Sequence, residues 1–404
     1  VYNSLMIEYG NRYLISLGAG EEQRYSLEKA NNMGIKTLAF DMNEDAPCKN
    51  IASVFYNINI KDKEEILNIA SRYNVAGILP APIGRYVTTA GYLNDVLSLK
   101  GAAFKAADIC SDKDKLREFL KNNGFPYPRK FEITDKPSIT FPVIVKPKFG
   151  SGSKFVKIIR NLEELNNYNE AYSCAATNYY GSLMIEEYME GIEYGIDAMA
   201  QNGRLTFLNI REKFVTPMPY RQELGYIMPA DIPDESKNAV ENVIGSFIKK
   251  TCIKDAVINA DIIAGNNGDI YIIDISPRPA GLNIAGKLIP YCLGFDIIAY
   301  WINYMISDEP LSDINIKRYS LQQYFPFENV EIKDTPDIND LKNKFNIHYM
   351  DCRLTKYCLL GSIQDCTDIA KRGFYIIGSD NKADLLKQNE DILSIFRIKA
   401  GIRK

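Results

Sequence analysis

The stretch Phe141-Pro142-Val143-Ile144-Val145-Lys146-Pro147-Lys148-Phe149-Gly150-Ser151-Gly152-Ser153-Lys154 sets the reading of this chain. Pro142–Lys146 is an apolar strand of the buried type, and it ends on a lysine. Gly150-Ser151-Gly152-Ser153 is a glycine-serine flap, and Phe155–Ile159 is a second strand. Two strands joined by a glycine-rich turn form a hairpin. Such a flap lets backbone N–H groups approach phosphate oxygens closely. Alone it is an ordinary hairpin turn, so its neighbours in sequence decide its meaning.

Upstream, Asp112–Asn123 is a charged amphipathic helix with Lys113 at its head, stopped by Gly124, Pro126 and Pro128. Downstream comes a helix at Leu162–Tyr172, then a strand, Leu183–Tyr188, that runs into the acid-rich segment Glu186 to Glu193. Ile192–Ala200 and Arg204–Arg211 pair around Asn202-Gly203. Ser236–Lys250 is helical. Ala256–Ala264 and Asp269–Ser276 form a hairpin around Asn266-Asn267-Gly268, placing Asp261 and Asp274 on paired strands just before Ser276, Pro277 and Arg278. Leu282–Leu293 and Asp296–Ile306 read as helices. From about Asn315 the tail mixes short strands with one helix near Lys382–Asn389.

The chemistry of this order is that of a nucleoside triphosphate site. Lys113 and Lys146, on separate elements, can neutralise phosphate oxygens as point charges. Asp261 and Asp274 can bridge Mg²⁺, which takes oxygen ligands and readily shares them with phosphate. Arg278 is placed to reach a transferring phosphoryl group or the carboxylate that receives it. Neither lysine reads as a core residue. The flap's composition offers few buried contacts, so it is expected to be mobile without nucleotide.

Ahead of this region, strands at Tyr13–Leu17, Lys36–Phe40, Val54–Asn57 and Val75–Leu79 alternate with helical stretches at Glu21–Met33 and Glu64–Tyr73. That rhythm predicts a parallel sheet covered by helices, a Rossmann-like unit over residues 1–105. Gly18-Ala19-Gly20 follows the first strand, but Gln23 stands where a dinucleotide fingerprint has its third glycine. A tight strand-to-helix turn is the preferred reading over NAD binding. The opening Val1–Leu5 has no pattern and is read as a remnant outside the fold, with no signal peptide before it.

Composition excludes several classes. The 404 residues carry 48 basic and 51 acidic side chains, a net charge of −3, so a nucleic-acid partner bound through counterion release is not expected. No apolar run reaches the roughly 18 residues of a membrane span. One histidine, His348, rules out multi-histidine metal centres and reads as an ordinary surface or strand residue. The eight cysteines are scattered without a CxxC pair, which suits reduced, mostly buried thiols in the cytoplasm.

Taken together, the motifs from Tyr13 to Ile306 resemble the ATP-grasp superfamily, and within it the branch of carbamoyl-phosphate-synthase-like proteins and L-amino-acid ligases. Ser111-Asp112-Lys113 resembles the entry to the family's nucleotide-binding lobes. The Phe141–Pro147 strand resembles its phosphate-lysine strand, and Gly150–Ser153 its lid. Met184-Ile185-Glu186-Glu187-Tyr188-Met189 is similar to its adenine hinge, and Asp274-Ile275-Ser276-Pro277-Arg278 to its terminal metal strand. Gly281 also fits that branch. The resemblance implies an α/β fold: a Rossmann-like unit, 1–105, then two α+β lobes sandwiching the nucleotide, 106–182 with the lid and 183–404 with a C-terminal extension.

The resemblance also implies roles. Lys113, Lys146 and the flap Gly150, Ser151, Gly152 and Ser153 would hold phosphates. The Glu187 carbonyl and Met189 N–H would read adenine, assisted by Glu186, and Glu193 would hold the ribose. Asp261, Asp274 and Ser276 would bind Mg²⁺, with Mn²⁺ as a substitute. Lys213 and Arg278 would act on the γ-phosphate during transfer. At Asp274 and Ser276 the family more often has Glu and Asn, a longer carboxylate and a stronger oxygen ligand. The implied reaction joins a small-molecule carboxylate to an amine through an acyl phosphate, releasing ADP and phosphate. The implied assembly is a homodimer. The alternatives are bicarbonate activation of the carbamoyl-phosphate-synthase kind and a non-catalytic ATP-binding protein. Thr216–Ile232 is where an acceptor pocket would lie, with Tyr220, Arg221, Tyr226 and Met228 as candidate lining and Arg221 for a substrate carboxylate.

Overall fold

A computed structural model describes residues 11–132, 138–176, 179–307, 311 and 314–402, so Val1–Leu5 lie outside the described residues. The first unit comprises β1 (Arg12–Leu17), α1 (Glu21–Asn32), β2 (Lys36–Phe40), β3 (Val54–Tyr56), α2 (Lys63–Ala70), β4 (Asn74–Ile78) and α3 (Val87–Leu97). Its four strands pair in parallel in the order β3-β2-β1-β4. Leu14, Ile15 and Leu17 of β1 are buried, the near-continuous apolar pattern of a strand covered on both faces.

Gly18 and Gly20 make the tight turn from β1 into α1. The Gln23 side chain fills it, accepting from the Gly20 N–H at 3.1 Å and donating to the Pro82 carbonyl. Asp41 accepts from the Ala19 N–H at 2.9 Å. The turn's donors are thus met by protein, in keeping with a structural turn and not a pyrophosphate cradle.

Next come α4 (Phe104–Ser111), α5 (Lys113–Asn122), β5 (Lys130–Phe131), β6 (Val143–Pro147), β7 (Lys157–Ile159), α6 (Leu162–Ala175) and β8 (Leu183–Glu187). Asp112 caps α5 by accepting from Asp114 and Lys115 N–H groups. The four strands form an antiparallel sheet, β5-β8-β6-β7.

The remaining elements are β9 (Gly191–Gln201), β10 (Arg204–Val215), β11 (Glu223–Met228), α7 (Asp234–Thr251), β12 (Ala256–Gly265), β13 (Ile270–Ser276), a π-helical turn (Ile284–Leu288), α8 (Ile289–Leu293), α9 (Ile297–Ser307), β14 (Tyr319–Tyr324), β15 (Val330–Glu331), α10 (Ile338–Lys344), β16 (Ile347–Cys352), β17 (Leu359–Leu360), α11 (Cys366–Ala370), β18 (Gly373–Ser379) and α12 (Lys382–Ala400). Eight of the strands form one sheet in the order β13-β12-β9-β10-β11-β14-β18-β16. The β9–β10 turn places Asn202 and Gly203 both at positive φ, the primed turn that Asn-Gly favours.

Two expectations shift here. The tail holds α10 and α11 besides the one expected helix, and its strands β14, β18 and β16 extend the large sheet, their buried faces sharing a core with Phe325, Tyr375 and the α12 residue Phe396. Helix α12 runs to Ala400, well past Asn389. Leu385, Ile392, Leu393 and Phe396 keep one buried stripe across the polar Asn389–Asp391 step.

His348 lies on β16 and stacks on Tyr291 at 3.9 Å between ring centroids. Burial, then Arg318 and Lys287, lower its pKa. All eight cysteines are free thiols. Cys48, Cys110 and Cys292 are buried but Cys174 and Cys252 are exposed, so the expectation of mostly buried thiols is corrected. Cys252 is exposed because it ends α7 in a left-handed conformation. Among the described residues no helix is long and apolar enough to cross a membrane.

Candidate functional site

The small antiparallel sheet and the large sheet face each other across a cavity of about 140 Å³. It is lined by Lys113, Lys146, all four flap residues Gly150–Ser153, Glu193, Lys213, Arg221, Glu223, Asp261 and Asp274. A second cavity of about 290 Å³ shares Ser151, Gly152, Glu223, Asp261 and Asp274 with it and adds Ser276, Arg278, Asn259 and Glu22. Glu187 and Met189 line neither; they lie at the connection from β8 to β9, with Glu187 exposed. The Glu187 N–H donates to the Arg129 carbonyl, tying that connection to β5.

Lys146 differs from expectation: it is 4% exposed and its environment is that of a core residue. It is the penultimate residue of β6, whose other side chains are apolar, and its ammonium lies 2.6 Å from Glu186. Glu186 sits opposite Ile144 on β8, 1% exposed, and also receives the Arg117 guanidinium at 2.7 Å. Burial alone would raise the Glu186 pKa, but Lys146 and Arg117 outweigh it and hold it at about 2. The carboxylate is therefore engaged with two cations, and in this structure it acts by holding Lys146 and Arg117 in place. Lys146 is pushed down to about 8 by burial, partly offset by Glu186 and reinforced by Arg117 and Lys113. The cluster of Lys113, Lys146 and Arg117 against Glu186 holds surplus positive charge.

Arg117 was missed in the sequence. It lies four residues after Lys113 on α5, hence on the same helix face. Its guanidinium also donates to the Ile272 and Ile273 carbonyls of β13, so one side chain ties the small sheet to the strand carrying Asp274.

Across the cavity the charge reverses. Asp261 and Asp274 are direct cross-strand partners on β12 and β13, brought opposite by a register shift between Asp261 and Ile262. The Lys213 ammonium, on β10, is 2.9 Å from Asp261, 3.1 Å from Glu223 and 3.8 Å from Glu193. Burial would lower its pKa, but Asp261, Glu223 and Glu193 outweigh it and raise it. Asp261 is held low in turn, chiefly by Lys213 against its burial. Arg221 pairs with Glu193 at 2.5 Å. Glu223, Glu193, Asp261 and Asp274 face Lys213, Arg221 and Arg278, leaving surplus negative charge. Arg278 is half-buried, donates to the Pro279 carbonyl, and keeps a buried Nε without a hydrogen-bond partner.

The candidate acceptor segment is rearranged. Glu223–Met228 is a strand rather than loop, because it pairs on both edges, with β10 and β14, and its last four residues are all buried there. Met228 is fully buried in the main core and lines neither cavity, which corrects its expected role. Arg221 faces the phosphate side through Glu193, and Tyr226 lines the second cavity. Tyr220 lines a separate cavity with Tyr168 and Tyr172.

The flap is better held than its composition implies. Lys113 donates to the Gly150 carbonyl at 3.2 Å, and the Ser153 hydroxyl donates to the Arg221 carbonyl at 3.0 Å. The Cys366 N–H, from the tail, donates to the Gly152 carbonyl at 3.0 Å. Gly152 has φ +69°, and a Cβ there would meet the Cys366 Sγ at 2.3 Å, so both backbone and space demand glycine. The tail segment that makes this contact carried no readable signal in the sequence.

Residues 139–286 match the family model of the ATP-grasp domain. A 3-methyl-D-ornithine–L-lysine ligase of Methanosarcina mazei is 29% identical over 253 residues, 59% of this chain and 62% of that protein. A carbamoyl-phosphate synthase of Methanobrevibacter smithii is 24% identical over 258 residues, 60% of this chain and 65% of that one. The match therefore spans less than two thirds of the length of either relative. Among solved structures, an L-amino acid ligase from Bacillus licheniformis superposes with a TM-score of 0.77 at 16% identity, over 95% of this chain and 98% of that one. The fold is thus the ATP-grasp fold.

Proposed function

We propose that this chain, which carries an ATP-grasp domain, is an ATP-dependent ligase that joins a small-molecule carboxylate to an amine and releases ADP and phosphate. One observation carries the reading. A cavity walled by surplus cations on the small sheet and surplus carboxylates on the large one is closed by a glycine flap. A polyphosphate satisfies the first wall, and a divalent cation satisfies the second.

The residues fit a magnesium nucleotide. Asp261 and Asp274 offer oxygen ligands from adjacent strands, and Mg²⁺ commonly takes one or two protein carboxylates with phosphate and water completing its shell. Ser276 is a weaker ligand, but Asn259 lies directly across the strand pair from it and lines the same cavity. The Asn259 amide N–H donates to the Ile196 carbonyl at 3.1 Å, which leaves its amide oxygen as an acceptor. Asp261, Asp274, Ser276 and Asn259 would hold the cation, which supplies charge neutralisation at the transferring phosphate. Lys113, Lys146 and the flap N–H groups bind the phosphates, Glu187 and Met189 the adenine, and Glu193 the ribose.

Arg278, with its unpartnered Nε, and Lys213 stabilise the phosphoryl group as it passes to a substrate carboxylate in the second cavity. The acyl phosphate formed there is attacked by a neutral amine: the C–N bond forms, the C–O bond to phosphate breaks, phosphate leaves with the electron pair, and the proton shed by the nitrogen ends on the released phosphate. No histidine is needed, since the acyl phosphate supplies the reactivity and the protein supplies alignment. The division at residue 105 is part of this reading, supported by separate sheets on either side of it; the boundary expected at 182 moves to the β8–β9 connection, because β8, Leu183–Glu187, pairs with β5 and β6 of the small sheet. A cytoplasmic setting is supported by the eight free thiols. A screen of the twenty amino acids, singly and in pairs, for Mg-ATP-dependent phosphate release tests the proposal. Phosphate release stimulated by a pair supports it, whereas ATP binding with no stimulation by any acid favours a non-catalytic nucleotide-binding protein.

A further inference from the structure

The cavity behind Asp274 opens past Glu22 into a larger one of about 450 Å³, within the size range of small-ligand sites. The two share Glu22, Pro82, Ala280 and Leu282 as walls. The outer cavity lies between α1, the π-helical turn and the tail strands β16 and β18. π-Helical turns of this kind recur at functional sites.

Most charges in the outer cavity cancel. Glu21 and Glu28 pair with Arg24, and Asp351 pairs with Arg353. Two charged groups have no ion pair among the described residues. Glu22, at the junction of the cavities, places its carboxylate beside Gly281. Lys287, on the π-helical turn, lines the outer cavity alone, its ammonium 4.2 Å from the Tyr349 ring centroid. The cavity thus offers one carboxylate beside the reaction centre and one ammonium away from it. The unpartnered Nε of Arg278 lies at the inner cavity and serves the phosphoryl transfer there, so the outer cavity's two unpaired charges are not taken up by it.

We propose that the outer cavity is the amine-substrate subsite and binds that substrate as a zwitterion, its ammonium at Glu22 facing the inner cavity and its carboxylate at Lys287. This rests on the ligase reading. It assigns the amine substrate to free amino acids, and it gives the tail a role as one wall of the site. Simple amines and amino acid amides lack the anion that Lys287 awaits.

The test uses the full chain and the amino acid pair found active in the screen, with the amide of the amine partner as a second probe. The first half-reaction is followed separately, as hydroxamate formed when hydroxylamine replaces the amine. In the wild type, KM for the free amino acid should lie about 10- to 100-fold below KM for its amide, the effect of one charge-assisted hydrogen bond. Lys287→Met should raise the amino acid KM by a similar factor, change kcat far less, and erase the preference over the amide. Lys287→Arg should restore it. Hydroxamate formation with Lys287→Met showing unaltered discrimination would overturn the subsite alone. Absence of hydroxamate from every acid would overturn the ligase reading, and the subsite with it.

Discussion

Replacing Lys146 with Met isolates what the buried cation contributes. Its ammonium lies 2.6 Å from Glu186, and Glu186 also receives Arg117 at 2.7 Å. Breaking a buried pair commonly costs about 3–5 kcal/mol because the surviving charge is left alone. Here Glu186 keeps the Arg117 fork, so the cost falls at the low end. Against it stands the penalty already borne by Lys146, whose pKa is pushed down to about 8 by burial. At about 1.4 kcal/mol per pKa unit that penalty is roughly 3 kcal/mol. The two nearly cancel, and thermal unfolding should shift by only a few degrees. Nucleotide binding should lose a charge-assisted hydrogen bond, about 1.5–3 kcal/mol, or about 10- to 150-fold in Kd by calorimetry. An unchanged Kd would refute the phosphate role, and loss of the folded state would refute the cancellation.

The same lysine gives a pH signature. Its ammonium is charged below about pH 8 and loses its proton as pH rises through that value, while Glu186, held at about 2, stays ionised. Wild-type ATP affinity should therefore fall above pH 8, and the Lys146→Met variant should lack that fall. Asp274→Asn should keep ATP binding and lower turnover by orders of magnitude, measured as ADP release, because the shape survives and one metal charge does not. Gly152→Ala should hinder flap seating, since its Cβ would meet Cys366; limited proteolysis at Lys148 or Lys154 should then be faster than in the wild type with Mg-ATP. Backbone recognition by Glu187 and Met189 should favour ATP over GTP by at least about tenfold in thermal stabilisation, the cost of one mismatched buried hydrogen bond.

Local signals carried much of the fold. β2, Lys36–Phe40, and the β12–β13 hairpin follow from an apolar run and a tight turn, both written in consecutive residues, although the pairing of Asp261 with Asp274 needs a register shift that the turn does not announce. The flap and its two lysines line one cavity as their order in the chain suggests. What escaped was non-local. Arg117 carries its signal in the i, i+4 spacing from Lys113, but its partners Glu186, Ile272 and Ile273 lie far along the chain. Lys146 looks like a surface lysine until Glu186 is placed beside it. Glu22 sits in the first turn of α1 with no motif to mark it, and it faces Gly281 only once α1 packs near the segment after β13. The tail was illegible because its short strands gain their meaning by extending a sheet begun more than a hundred residues earlier.

Transfer of the γ-phosphoryl group to a substrate carboxylate is best tested with the acid oxygen-labelled on that carboxylate. In acyl-phosphate chemistry one carboxylate oxygen leaves with the phosphate when the amine attacks. Mass spectrometry of the inorganic phosphate should then find one labelled oxygen per product formed, dependent on Mg-ATP and lost in Asp274→Asn. Product formed with unlabelled phosphate would contradict the account.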